Sequence, residues 1–335
     1  MKSFEVREFG IDNLALVERE QPKPAAGEVL VRITAASLNY RDYLVVQGLY
    51  NPKLKRPMVP ISDGAGIVEE TGPGVTRFKR GDRVVACFMQ AWMDGPPTPE
   101  ASASALGGAI DGVLREYAVF SEHGLLPTPS SLSDEEAATL PCAAVTAWHA
   151  LFEHTPHHPG DTVLIQGTGG VSIFALQFAK AAGLRTIVTS SSDRKIERAR
   201  ELGADEVINY KTTPEWQEQA RKLTAGRGVD HVIEVGGSDT MPRSLRAIRM
   251  SGTISVIGIL SGAAPTVSPV TILMNSVRVI GVFVGSRAMF ERMNRAIEVH
   301  SIKPAIDKTF AWTEIKEALH YMESQQHVGK ICLRF

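Results

Sequence analysis

Residues 167–172 read Gly-Thr-Gly-Gly-Val-Ser. Glycines at 167 and 169 let a backbone turn sharply and approach a pyrophosphate closely. A helix that begins at Gly170 and Val171 offers its first N–H groups and the positive end of its dipole to the phosphates. The run stands between an apolar segment at 162–166 and an apolar-faced one at 171–182, the strand–turn–helix setting that a dinucleotide site requires. Ser172 stands where a third glycine would allow the closest helix–strand packing, and a tight turn without a ligand is the alternative reading. About twenty residues further on, 189–192 read Thr-Ser-Ser-Ser. An NAD site needs an acid there to hold both ribose hydroxyls. Ser190 and Ser191 can instead donate to a 2′-phosphate, and Arg194 and Lys195 supply positive charge, so NADPH (NADP+) is the expected cofactor. The same residues also make an ordinary helix start, with Ser192 as N-cap and Asp193 in the first turn.

A second group lies at 38–50, where Asn39, Asp42, Tyr43 and Tyr50 combine an amide, a carboxylate and two phenols. Amide and phenol donors can stabilise an oxyanion, and a phenol can deliver a proton. Asp42 suits a turn or cap equally well, and that reading is preferred. His154, His157 and His158 sit in a Pro-rich loop and are expected to be solvated. Cys142 is expected to be a small buried apolar residue.

These groups need a scaffold. The chain has 335 residues, enough for roughly two domains. Hydrophobic residues make up 44% and charged residues 22%, which argues against disorder, collagen and coiled coil. The net charge is −1, against a nucleic-acid binder that works by neutralising phosphates. Three cysteines are too few for a disulfide framework and point to a reducing compartment. Residues 1–10 lack a signal-peptide core. The long uncharged stretch at 250–277 carries enough Gly and Pro to be a strand, a loop and a strand rather than a membrane helix. A soluble cytoplasmic protein is expected.

The first third is rich in β-formers. Residues 29–35 alternate apolar and polar, and 64–70, 83–87 and 114–120 read as further strands. Residues 89–109, rich in Pro, Ala, Ser and Gly, read as a surface loop. Ser133 and Glu136 form a capping box at a helix start. From Asp161 the pattern alternates: strands at 162–166, 186–189, 206–209, 231–235 and 253–257, with helices at 171–182, 193–202, 214–223 and 240–248. Such alternation implies a parallel sheet covered on both faces. Residues 287–335 hold two helices and a last strand at 330–334. The apolar segment 276–284 is a candidate sheet edge, which pairing with a twin strand would cover, so a homodimer is expected.

Several segments together resemble the medium-chain dehydrogenase/reductase superfamily, and within it the zinc-free quinone oxidoreductase-like branch. They are Leu38-Asn-Tyr-Arg-Asp42, Ser62-Asp-Gly-Ala-Gly66, Gly72-Pro-Gly-Val75 with Gly81-Asp-Arg-Val84, Ala144-Val-Thr-Ala-Trp148, the glycine turn, and Val328-Gly-Lys-Ile331. The resemblance implies an α/β protein: a chaperonin-10-like β-rich catalytic domain at 1–127 and 287–335, and a Rossmann cofactor-binding domain with a doubly wound parallel sheet at 128–286. It implies an active site between them, with Tyr50 and Asn39 facing it. It adds cofactor contacts at Thr146, Tyr210, Val235, Gly236, Ile257, Phe283, Gly285 and Lys330, and favours Lys195 as the phosphate-binding lysine.

Zinc-dependent relatives carry Cys at the position of Asn39 and Gly-His-Glu at Ser62-Asp63-Gly64, and their structural zinc needs four close Cys where this chain has Cys87. The resemblance therefore implies no metal. Without a Lewis acid, quinones and conjugated enals or enones are the easier substrates, because the anion formed is already delocalised. An NADPH-dependent reductase of such small molecules is expected. A zinc-free alcohol dehydrogenase, an enoyl-thioester reductase and a non-catalytic NADPH-binding protein, crystallin-like or redox-sensing, are the alternatives.

Overall fold

The computed structural model describes residues 1–260 and 267–335. It divides into two compact units, Met1–Val145 with Val284–Phe335, and Thr146–Phe283.

The first unit is built on a seven-stranded sheet. Its central strand, Glu28–Leu38, pairs antiparallel with Asp63–Thr71 on one side and with Lys330–Arg334 on the other. The alternating residues at 29–35 start this strand. It runs three residues beyond the alternation because Ala35, Ala36, Ser37 and Leu38 are buried on both faces. The register sets Ser37 opposite Asp63 and Leu38 opposite Ile331. Positions 39, 63 and 330, far apart in sequence, therefore meet at one end of the strand.

Residues 89–109 are a surface loop only in their middle, where 94–100, 102 and 103 are exposed; the two ends are anchored in the unit. The segment contains a short helix, Pro99–Ser102, and Met89, Trp92 and Leu106 are buried. Their apolar side chains outweigh a turn-rich composition, and the Trp92 carbonyl accepts from Arg287 N at 2.9 Å. The capping box at Ser133 and Glu136 forms as read from sequence and opens the helix Asp134–Ala138. Ala137 and Ala138 pack on Ala35 and Ala65, and Asp134 pairs with Arg83 at 2.6 Å. Residues 128–145 therefore belong with the β-rich unit, and the boundary lies after Val145 rather than after Pro127. After Pro141 the chain stays helical in wide turns, Leu140–Ala144 and His149–Glu153, on either side of Val145–Trp148.

The second unit is a six-stranded parallel sheet in the order Glu206–Asn209, Arg185–Ser190, Thr162–Gln166, Val229–Glu234, Ile248–Val256, Arg278–Gly281. The connecting helices are Gly170–Ala181, Asp193–Glu201, Trp216–Leu223 and Met241–Ala247. A further helix, Pro269–Met274, stands where only loop and strand were read, started by Pro in its first turn. The glycine- and proline-rich part of that loop, 261–266, lies outside the described residues. The apolar segment 276–284 contributes only Arg278–Gly281, at the sheet edge.

The histidine loop is also more ordered than its composition suggests. The His157 side chain is 4% exposed. It stacks on His231 with Nε2 and Nδ1 3.0 Å apart, and His231 Nε2 lies 2.8 Å from Ser255 Oγ. The polar side chains on strands 229–234 and 248–256 recruit it, which a solvated loop would leave unsatisfied. Among the described residues, no helix is long and apolar enough to cross a membrane.

Candidate active site

In the second unit, the glycine turn joins the strand Thr162–Gln166 to the helix Gly170–Ala181. Gly167 has φ +72°, a left-handed conformation that favours glycine, and its N–H donates to Thr189 O at 2.8 Å. Gly169 caps the helix in an extended conformation, and a Cβ built there would meet nothing within 4 Å. The turn thus leaves open space over a helix N-terminus whose first N–H groups lack intrahelical partners. Ser172 makes up for the missing third glycine: its hydroxyl donates to Gln166 O at 2.7 Å and ties helix to strand.

Beneath this turn lies a polar cluster that sequence reasoning missed. The Glu234 carboxylate, fully buried, accepts from Gly236 N, Gly237 N, Gln166 Nε2 and the hydroxyls of Thr240 and Ser244. Gln166 Oε1 accepts from the N–H groups of Val235 and Gly236, both at 3.2 Å. The signal was a polar residue closing each of two apolar strands. Together they fix the carboxyl ends of the two central strands.

Other predicted contacts gather along the same ends. Ser190 closes its strand, and Tyr210 N donates to Ser190 O at 3.0 Å, which sets the half-exposed Tyr210 beside it. Ser191, Arg194 and Lys195 follow at the start of the helix Asp193–Glu201. Asp193 is held by Asn209 Nδ2 at 2.6 Å. Ile257 N donates to Glu234 O at 2.9 Å, beside Val235. Phe283 is exposed just past the edge strand. Thr146 is buried in the helix Val145–Trp148, and Gly285 belongs to the other unit, where a Cβ would strike Val145. The turn, the serine-rich strand end and Tyr210 suit an adenine dinucleotide. When bound, such a cofactor supplies a nicotinamide as hydride donor or acceptor.

In the first unit, Asn39 caps the helix Tyr40–Val46. Asp42, fully buried, accepts from Asn39 N at 2.8 Å and Ser62 N at 3.2 Å, which makes it the cap residue read from sequence. Burial pushes its carboxyl up to about 6, although Arg41 opposes this. Asp63, also buried, accepts from Ser62 Oγ at 2.7 Å and from Cys142 N at 3.2 Å. Cys142 lies in the wide helical turn Leu140–Ala144. Burial raises Asp63 as well, and the Lys330 ammonium at 4.0 Å pulls it back. The Cys142 thiol is pushed well up by burial and by Asp63, so it is not poised as a thiolate.

Lys330 is 3% exposed, and its ammonium donates to Leu38 O at 2.7 Å and Asn39 Oδ1 at 2.6 Å. Tyr50 lies apart from this network and is 42% exposed. The Arg41 guanidinium lies over its ring at 5.1 Å and over Phe88 at 4.8 Å. A cavity of about 650 Å³ elsewhere in this unit, lined by Gln90, His123 and Arg287 among others, holds none of these residues.

A catalytic zinc does not fit this donor set. Asn39 and Ser62 are neutral, the oxygens of Asp42 and Asp63 already accept from N–H and O–H groups, and a fixed ammonium is among them. Among the described residues, no three His, Cys, Asp or Glu side chains are placed to share an ion.

Fold and site together define a two-unit, dinucleotide-dependent oxidoreductase. Residues 25–130 match the alcohol dehydrogenase GroES-like domain family, and residues 170–299 match the zinc-binding dehydrogenase family. A zinc-type alcohol dehydrogenase-like protein of Schizosaccharomyces pombe is 50% identical over 332 residues, covering 97% of this chain and 96% of its own. An acryloyl-coenzyme A reductase of Metallosphaera sedula is 31% identical, covering 94% and 95%. A mycobacterial protein solved in complex with NADPH superposes with a TM-score of 0.83 at 27% identity, with both chains fully covered. The chain belongs to the medium-chain dehydrogenase/reductase superfamily and is an NAD(P)H-dependent oxidoreductase.

Proposed function

We propose that this protein is a zinc-independent, NADPH-dependent reductase that transfers hydride to quinones or α,β-unsaturated carbonyls. The observation that carries this reading is the Asn39–Ser62–Asp63–Lys330 network. It fills a polar site with hydrogen-bond donors and a fixed ammonium, and leaves no free ligand set for a metal. Such a site can hold a delocalised oxyanion but lacks the Lewis acid that eases alcohol–ketone exchange. The acryloyl-coenzyme A reductase among its relatives acts, by name, on a conjugated carbonyl.

In this reading Asn39 donates to the developing oxyanion, and Tyr50 binds the same oxygen or delivers its proton. Gly167, Gly169, Gly170 and Val171 hold the pyrophosphate. Ser190, Ser191, Arg194, Lys195 and Tyr210 hold the 2′-phosphate. Thr146, Val235, Gly236, Ile257, Phe283 and Gly285 line the remainder. The protein works as a cytoplasmic homodimer.

The rival reading is alcohol oxidation with zinc, which the name of the Schizosaccharomyces pombe relative favours. One experiment separates them: NADPH oxidation followed against a panel of quinones, enones, aldehydes and alcohols, with elemental analysis of the dialysed protein. Turnover with enones or quinones and no stoichiometric zinc is expected. Turnover confined to alcohols and aldehydes, with about one zinc per chain, overturns the proposal.

A further inference from the structure

Arg41 is a largely buried cation whose hydrogen bonds include no carboxylate. Its side chain is 12% exposed, and its one hydrogen bond among the described residues runs from Nη1 to Leu106 O at 3.0 Å. Asp42 Oδ1 stands 3.9 Å from Nη1, outside hydrogen-bond range, and both Asp42 oxygens already accept from the N–H groups of Asn39 and Ser62. The guanidinium lies over the rings of Tyr50 and Phe88, at 5.1 and 4.8 Å. The rings offset part of the charge through its faces and use none of the N–H groups at its edge. Nε is buried without a partner; Nη2 makes no hydrogen bond either and is not buried. The chain makes room for it at Gly108, where a Cβ would lie 2.2 Å from Nη2. Nε–H and one Nη2–H lie along the same edge of the planar group, and this fork matches the two oxygens of a carboxylate. The neighbours are otherwise apolar: Phe88 and Leu106 are buried, Tyr50 is partly exposed, and the exposed Ile110 accepts at its carbonyl from Gly108 N at 3.2 Å. A single charge with an unspent fork among aromatic and aliphatic side chains has the make-up of a small-molecule site.

We propose that Arg41 is a specificity-determining residue that binds a carboxylate on the hydride acceptor, so that the preferred substrate is a conjugated carbonyl compound bearing an acid group. The inference rests on the reading given above, that the protein reduces conjugated carbonyls, and narrows its substrate class. Tyr50, read there as meeting the reacting oxygen, has its ring against the same guanidinium, so one planar molecule reaches both groups. The carboxylate carries its charge before, during and after hydride transfer. Arg41 therefore holds ground state and transition state alike and acts on affinity for the acceptor rather than on the chemical step. The rival account is structural: Arg41 ties the segment around Leu106 to the helix Tyr40–Val46 and binds nothing.

The test uses two acceptors that differ by one charge, dimethyl fumarate and monomethyl fumarate, with wild type, Arg41→Gln and Arg41→Lys at saturating NADPH. Arg41→Gln should raise KM for the acid more than for the diester, by a further factor of roughly ten to a hundred, the worth of hydrogen bonds to a charged group. The kcat for the acid should change less than its KM. Arg41→Lys keeps the charge without the fork and should recover part of the loss. Wild type supplies a check that no folding defect can confuse. Monomethyl succinate, which has no C=C to reduce, should compete with the best acceptor of the panel, and dimethyl succinate should compete far less. Equal losses on both fumarates in a folded Arg41→Gln protein would show that Arg41 only holds its loop, and overturn the proposal. A wild type indifferent to monomethyl succinate overturns it too. A wild type inactive on every acceptor overturns instead the reading on which the proposal rests.

Discussion

Gly169→Val separates the two jobs of the glycine turn, because the structure makes this position cheap for folding and expensive for binding. Gly169 has φ −75° and ψ −176°, which any residue adopts, and a Cβ there meets nothing within 4 Å. The folding cost is confined to a poorer N-cap, about 1 kcal/mol or less. The valine methyls then occupy the space through which a pyrophosphate approaches the first turn of the helix Gly170–Ala181. Losing one backbone hydrogen bond to a charged phosphate costs about 1.5–3 kcal/mol, or roughly ten- to a hundredfold in Kd. Gly167→Ala should do the reverse. At φ +72° a side chain is strained by about 1–2 kcal/mol, while its Cβ would find only Ser172 Oγ at 3.9 Å. Fluorescence titration with NADPH at fixed ionic strength, paired with thermal melts, reads both variants. The expected pattern is weak binding with a near-native melting temperature for Gly169→Val, and a melting temperature lowered by a few degrees for Gly167→Ala. A Gly169→Val protein that binds NADPH within twofold of wild type refutes the placement of the pyrophosphate.

Three further outcomes follow from the same geometry. Burial, with His157, Arg278 and His154 adding to it, holds the His231 imidazole down to about 3 from its usual 6.5. A lowered histidine gives stability that is complete above pH 6.5 and is lost as pH falls toward 3, at most about 5 kcal/mol here. Asp42, raised to about 6, acts in the opposite sense, its contribution complete below 3.8 and lost as pH rises through 6. His231→Gln should therefore flatten the loss of stability between pH 6.5 and 4.5 in urea melts; an unchanged slope counts against it. Ser190→Asp with Lys195→Ala should erase a preference for NADPH, and equal wild-type Kd values for NADH and NADPH would show that no such preference exists. Val279 on the edge strand Arg278–Gly281 is 38% exposed, beside a helix that exposes Leu273 and Met274. Val279→Lys should convert a dimer to monomer by light scattering, and a monomeric wild type at micromolar concentration disproves the edge pairing.

What the sequence made legible, and what it hid, follows from the range of the interactions concerned. The strand Thr162–Gln166, the glycine turn and the helix behind it are set by neighbours within a dozen residues, and composition displays them directly. The capping boxes at Ser133 and Asn39 are equally local. Trp92 and His157 were misplaced because polar, turn-rich surroundings say nothing of a partner about 195 or 74 positions away, Arg287 in one case and His231 in the other. The hardest case is Lys330. Motif position suggested a cofactor contact, and its partners Asn39 and Asp63 lie 291 and 267 residues away. Only the pairing of Lys330–Arg334 with Glu28–Leu38, and of that strand with Asp63–Thr71, brings the three together. A local pattern can announce a helix that binds phosphate, since a helix N-terminus carries its own donors. It cannot announce a hydrogen-bonded group assembled from three strands. The Asn39–Asp63–Lys330 network is encoded in strand register, and a one-residue slip of the last strand would turn Lys330 to the opposite face and leave Asn39 without its ammonium.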